Sequence, residues 1–130
     1  SGSSAAHDGE KLHSYLEAAM GDGAVLDGTV AMDSAQADAI WAIRENITGS
    51  LAKSGSVYKY DVSIPLSELY DLVEEMRPRV RPLGAEVSGF GHLGDGNLHL
   101  NIHTPGVFER RAAVLDAVEP FVYEWIAARR

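Results

Sequence analysis

From Asp8, apolar residues return at Leu12, Tyr15, Leu16, Ala19 and Met20, a stripe of helical period that stops at Gly21 and Gly23. The spacing predicts a first helix with Asp8 as its N-cap. Residues 24–32 are few, partly β-branched and bounded by turn formers, which predicts a strand. A second helix is expected from Asp33 or Ser34 to about Lys53, with Ile40, Ile43, Ile47 and Leu51 as its buried stripe and Gly55 as its stop. At residues 57–64 the period changes to two: Tyr58, Tyr60, Val62 and Ile64 alternate with Lys59, Asp61 and Ser63, the pattern of a half-buried strand ended by Pro65. A third helix opens near Ser67 with Leu69, Val73, Met76 and Val80 inward, and Pro78 and Pro82 close it. Residues 86–103 read as a hairpin. Residues 107–130 form a last helical segment carrying Leu115, Val118, Val122 and Trp125 inward, with Pro120 either kinking it or starting a second helix.

Helix, strand, helix, strand, helix, strand, strand, helix is an α+β order, and the hairpin makes its sheet largely antiparallel. A ferredoxin-like sandwich with its helices packed on one face accommodates it. At 130 residues and 45% apolar content the chain suits one domain with a single core, in which Trp41, Trp125, Tyr58 and Tyr60 are core candidates. A helix opens almost at once and a helical pattern is still running at Arg129 and Arg130. Residues 1–130 are therefore expected to be one truncated domain of a longer protein, whose uncovered apolar surface and sheet edge predict self-association.

The hairpin carries the chemistry. Residues 89–101 read GFGHLGDGNLHLN, and an Asp95–Gly96 two-residue turn would set His92 directly opposite His99. Asn101 and His103 then share the face of His99, while Leu93, Leu98, Leu100 and Ile102 take the other. Directly opposed Cβ atoms lie roughly 4.5–5.5 Å apart, which suits two ligands of one divalent metal; the plainer alternative is a polar surface pair. Asp95 reads as a turn former and His103 as a surface residue. Arg44 lies on the flank of the stripe of the second helix with Thr48 one turn further on, and Lys59 is on the polar side of its strand. Structural roles for these three stay open: an ion pair of Arg44 with Glu45 or Asp38, a solvated Lys59, and a Thr48 hydroxyl bonded back to the Arg44 carbonyl.

Charge and composition narrow the partners. A net charge of −8, from 11 basic and 19 acidic residues, argues against nucleic acid. The absence of cysteine leaves nitrogen and oxygen to hold any metal. No apolar run approaches the ~20 residues of a membrane span, and the first residues have no targeting pattern.

Four segments, GHLGDGNLHLN at 91–101, IWAIRENIT at 40–48, VYKYDVSIP at 57–65 and VYEW at 122–125, resemble the C-terminal substrate, or cap, region of FAD-linked 2-hydroxy acid dehydrogenases and oxidases of the vanillyl-alcohol-oxidase type. The hairpin motif is common to D-lactate dehydrogenases, glycolate oxidases and D-2-hydroxyglutarate dehydrogenases. The Tyr-Lys-Tyr-Asp strand, with Arg44 and Thr48, is most similar to the last group. The resemblance implies that His92 and His99 ligate a zinc-like divalent ion that polarises a 2-hydroxy acid, that Arg44, Thr48 and Lys59 hold its carboxylates, and that Asn101 adds a polar contact. It further implies a glutamate ligand and a histidine base beyond residue 130, an FAD domain outside these residues and an electron acceptor for the whole enzyme. No catalytic residue is thus assigned within the chain, and the 130 residues alone are expected to be inactive. The implied whole enzyme oxidises D-2-hydroxyglutarate to 2-oxoglutarate, in mitochondria if eukaryotic and otherwise in the cytoplasm. The alternatives are a D-lactate or glycolate enzyme and a non-catalytic ferredoxin-like binding module. The chemistry agrees with the first: loss of a C2 hydride is eased by a Lewis acid on the hydroxyl oxygen, and a dicarboxylate needs cations at both ends.

Overall fold

In the computed structural model, which describes residues 4–129, the first helix starts earlier than its stripe suggests. Ser4 rather than Asp8 is the N-cap: its Oγ accepts the His7 N–H at 3.3 Å, and α1 runs over Ala5–Gly21. The chain divides into two compact units, the first ending at Trp41 and the second beginning at Ala42.

In the first unit no residue of α1 is buried, and its apolar stripe is open at Leu12, Tyr15 and Met20. Residues 24–32 form no strand. Gly28 breaks the run, and the Asp27 carboxylate takes the Gly28 N–H at 2.8 Å, a local bond that competes with a ladder. α2 (Ser34–Glu45) follows the Asp33 cap, whose Oδ1 accepts the Gln36 N–H at 2.8 Å while Gln36 Oε1 accepts the Met32 N–H at 2.9 Å. Trp41, expected in the core, is 58% exposed.

The second unit holds the sheet. The helix expected to run unbroken to Lys53 is divided at Asn46, whose Nδ2 donates to the Ala42 carbonyl at 2.7 Å, and α3 (Ile47–Ser54) continues beyond it. Neither α2 nor α3 buries a residue, so Ile40 and Ile43 are exposed where a buried stripe was expected. Then come β1 (Gly55–Ser63), a 3-10 turn at Leu66–Glu68, α4 (Asp71–Val80), β2 (Glu86–His92), β3 (Asn97–Pro105) and α5 (Ala112–Ala127). The strands pair antiparallel in the order β1-β3-β2, so that α4 carries the chain over β3 from one edge to the other. This α+β unit, with three antiparallel strands, follows the first five of the six elements of a ferredoxin-like sandwich, strand–helix–strand–strand–helix.

The period-two pattern decides which face is core. Tyr58, Val62, Leu98, Leu100 and Ile102 meet Leu72, Val73, Met76 and Val80 of α4 and Val114, Val118, Val122 and Trp125 of α5, all buried in one cluster. The Tyr58 hydroxyl, fully enclosed, accepts the Arg111 N–H at 2.6 Å. At Gly89 a Cβ would stand 2.5 Å from the Val73 side chain, so the glycine lets α4 close onto β2. Neither proline breaks its helix: Pro78 lies inside α4 and Pro120 inside an unbroken α5, each on the exposed side. The opposite sheet face meets α3, through a contact between Ser54 Oγ and His103 Nε2 at 3.0 Å. No helix among the described residues is long and apolar enough to cross a membrane.

Candidate functional site

The face of the sheet away from the core is assembled from the odd-numbered residues of β3. His99 is paired with Asp61 on one side and Phe90 on the other, and Asn101 with Lys59 and Ser88. The hairpin register differs from the expected one: His92 stands opposite Asn97, and residues 93–96 form a four-residue loop instead of a two-residue turn. Asp95 accounts for the difference, because its Oδ1 accepts the Asn97 N–H at 3.0 Å and closes a local turn of its own. The carbonyl oxygen of Gly96, a residue at φ 71°, then accepts the Ile64 N–H at 3.1 Å, which ties the loop to the end of β1. Leu93, expected on the core face, is 71% exposed in this loop.

His92 and His99 nevertheless share a face, as diagonal rather than direct neighbours. Their ring centroids are 5.2 Å apart at an interplanar angle of 79°. The His99 ring lies 5.2 Å from that of Phe90, and its Nδ1 is hydrogen-bonded to Asp61 Oδ1. His92 Nε2 lies 3.2 Å from an Arg44 guanidinium nitrogen; guanidinium has no acceptor, so the imidazole accepts. Arg44 also pairs with Glu45 at 2.6 Å, the ion pair the structural alternative names, and its guanidinium lies 5.5 Å from the Phe90 ring centroid. It thus does both: it pairs along its helix and reaches the hairpin.

A cavity of about 300 Å³ opens on this face. Arg44 and Thr48 line it from α2 and α3, Lys59 from β1, and His99 and Asn101 from β3. Every residue that the resemblance implied in carboxylate or polar contact reaches the same space; His92 stands beside it against His99. Asn101 is 2% exposed and its amide donates to the His99 carbonyl at 3.2 Å. His103 is not a surface residue: it is 4% exposed because α3 covers that end of the face. Its Nδ1, like Trp125 Nε1, is buried with no hydrogen-bond partner among the described residues. No group of three or more His, Asp or Glu among the described residues is placed to hold a metal ion.

Asp61 and Phe90 line the cavity without having been read as site residues, and Glu45, which lines it too, was read only as a partner for Arg44. Phe90 was within reach, since a four-residue loop puts it opposite His99. Asp61 was not, because nothing local says which strand lies on the far side of β3.

The outer face of the sheet thus gathers two imidazoles, a guanidinium and an ammonium, and two helices back the other face. The chain matches the family of FAD linked oxidases, C-terminal domain, over residues 1–129, and it belongs to that family. It is 50% identical over 130 residues to the mitochondrial D-2-hydroxyglutarate dehydrogenase of Rattus norvegicus, covering 100% of this chain and 24% of that protein. To the mitochondrial D-2-hydroxyglutarate dehydrogenase of Arabidopsis thaliana it is 47% identical over 129 residues, 99% of this chain and 22% of that protein. It is 35% identical over 139 residues to the D-2-hydroxyglutarate–pyruvate transhydrogenase of Saccharomyces cerevisiae, 100% of this chain and 27% of that protein. The chain spans about a quarter of the length of these curated relatives.

Proposed function

We propose that this chain is the substrate-binding part of an FAD-dependent dehydrogenase that oxidises D-2-hydroxyglutarate to 2-oxoglutarate, in mitochondria if its source is eukaryotic. The observation that carries the reading is convergence. Arg44 and Lys59 come from different elements, Thr48 and Asn101 from two more, and all line one cavity beside a pair of imidazoles. A dicarboxylate needs a cation for each end: Arg44 offers a planar fork to one carboxylate and Lys59 a point charge to the other. The Thr48 hydroxyl and the Asn101 amide add hydrogen bonds that fix orientation, and the buried Asn101 is held by its bond to the His99 carbonyl.

His92 and His99 would hold the divalent ion that the family resemblance implies. Their donor chemistry fits a zinc-like ion: two neighbouring imidazoles, no thiolate in the chain, and a carboxylate on the second nitrogen of one ring. Among the described residues no third His, Asp or Glu completes such a group. Bound there, the ion would polarise the 2-hydroxyl oxygen as a Lewis acid, while FAD, on a domain outside these residues, would accept the hydride. On this reading residues 1–130 alone bind substrate weakly and turn none over.

Steady-state kinetics of the full-length protein with D-2-hydroxyglutarate, D-lactate and glycolate test the assignment. We expect kcat/KM to favour the dicarboxylate by about a hundredfold or more, and Lys59→Ala to remove most of that preference, because the second carboxylate loses its cation. Equal activity with the monocarboxylates and indifference to Lys59→Ala would exclude it. Metal analysis of the same protein should find a divalent ion that His92→Ala depletes.

A further inference from the structure

Two carboxylates line the cavity proposed to bind an anion: Glu45 is paired with Arg44, and Asp61 is not. Asp61 is part of the cavity wall, two residues from Lys59 on the same strand face, and its side chain is 71% exposed. Left to itself it would repel an incoming carboxylate. It is not left to itself: β1 and β3 pair so that Asp61 and His99 are directly opposite, and Asp61 Oδ1 is hydrogen-bonded to His99 Nδ1. The backbone register, more than side-chain chance, brings these two atoms together.

We infer that Asp61 is a positioning residue: it accepts the Nδ1 proton of His99 and so fixes the tautomer in which Nε2 carries the lone pair. An ionised carboxylate only accepts hydrogen bonds, so the ring nitrogen facing it must be the one that bears hydrogen. Neutral imidazole has a single N–H, and committing it to Asp61 leaves Nε2 as the donor atom. Phe90, opposite His99 on the other flank with its ring 5.2 Å away, braces the ring against turning. The neighbouring imidazole is in the same state for a different reason: His92 Nε2 accepts from Arg44, which puts the His92 proton on Nδ1 as well. Of two rings 5.2 Å apart, His99 thus turns its Nε2 lone pair away from Asp61, while that of His92 is engaged by Arg44. The consequence for metal binding rests on the proposed function above; the tautomer does not.

The test is nitrogen NMR on full-length protein labelled with [15N]histidine, at mildly alkaline pH where imidazole is neutral, with His99→Gln to assign the signal. Wild type should show the Nδ1–H pattern for His99, and Asp61→Ala should move it to Nε2–H or a mixture. Asp61→Asn keeps an acceptor oxygen without the charge and should hold the Nδ1–H form in part. A wild-type His99 with Nε2–H, or an Asp61→Ala protein with an unchanged pattern, overturns the inference. Zinc affinity by chelator competition gives a second readout: Asp61→Ala should weaken it about 10–100-fold, as loss of a carboxylate behind a ligating histidine does elsewhere. Zinc bound with equal affinity by wild type and Asp61→Ala overturns the positioning role and leaves the substrate assignment standing. A wild type that binds no zinc, yet shows an Nδ1–H form that Asp61→Ala abolishes, sinks the metal site and supports the role of Asp61.

Discussion

Tyr60 shows how much a single group depends on what lies across from it. The alternation of β1 put it on the core side, and there it is half-buried, with its hydroxyl donating to Glu119 Oε1 at 3.3 Å. Burial, and after it the Glu119 carboxylate, pushes its pKa up to about 12. The folded protein therefore holds the phenol proton where the unfolded chain has begun to release it, so stability is intact below about pH 10 and declines as the pH climbs toward 12. Absorbance titration should find one tyrosine that ionises last; Tyr60→Phe should remove that step and flatten the alkaline loss of stability. The period told which side Tyr60 faces, and nothing in it named Glu119. His103 carries the same lesson in reverse. The alternation placed it with the polar residues, correctly, but a polar face is not a surface when α3 lies over it.

The hairpin is where local sequence spoke most clearly and was still misread by two residues of register, a slip that keeps the face. Asp95–Gly96 does mark the turn, and His92 and His99 do share a face; the loop is longer because the Asp95 side chain bonds forward to Asn97 and Gly96 is pulled onto Ile64. A Cβ on Gly96 would stand 2.5 Å from the Ile64 carbonyl oxygen, at a φ of 71° that side chains rarely adopt. Gly96→Ala should cost more than about 1 kcal/mol in chemical denaturation, and more than the same change at the open Gly94. Long amphipathic patterns were read well where a sheet was there to receive them. Val73, Met76 and Val80 of α4, and Val118, Val122 and Trp125 of α5, are buried as their spacing implies. The same spacing in α1 and α2 buries nothing, since periodicity names a face without naming its cover. Residues 24–32 failed for a related reason: a strand exists only with a partner.

At the scale of the molecule, the α+β class and the antiparallel sheet followed from the order of the elements, whereas the site did not. Arg44, Lys59 and His99 are far apart in sequence and meet only through the β1–β3 pairing and the placement of α2, which is why likeness to a family said more about them than spacing. The core belongs to the second unit, so perturbations should divide accordingly. Leu100→Ala, at a fully buried position, should cost about 2–5 kcal/mol, while Leu26→Ser, at a residue 96% exposed, should change the stability of the chain by less than about 0.5 kcal/mol. Calorimetry of the two variants checks the contrast. Finally, β3 is the middle strand, with a neighbour on each side, and it carries His99, Asn101 and His103. Fraying starts at edges, so the amides of β3 should be the last of the sheet to exchange with deuterium, and the side chains that form the floor of the cavity are mounted on the part of the fold that opens least often.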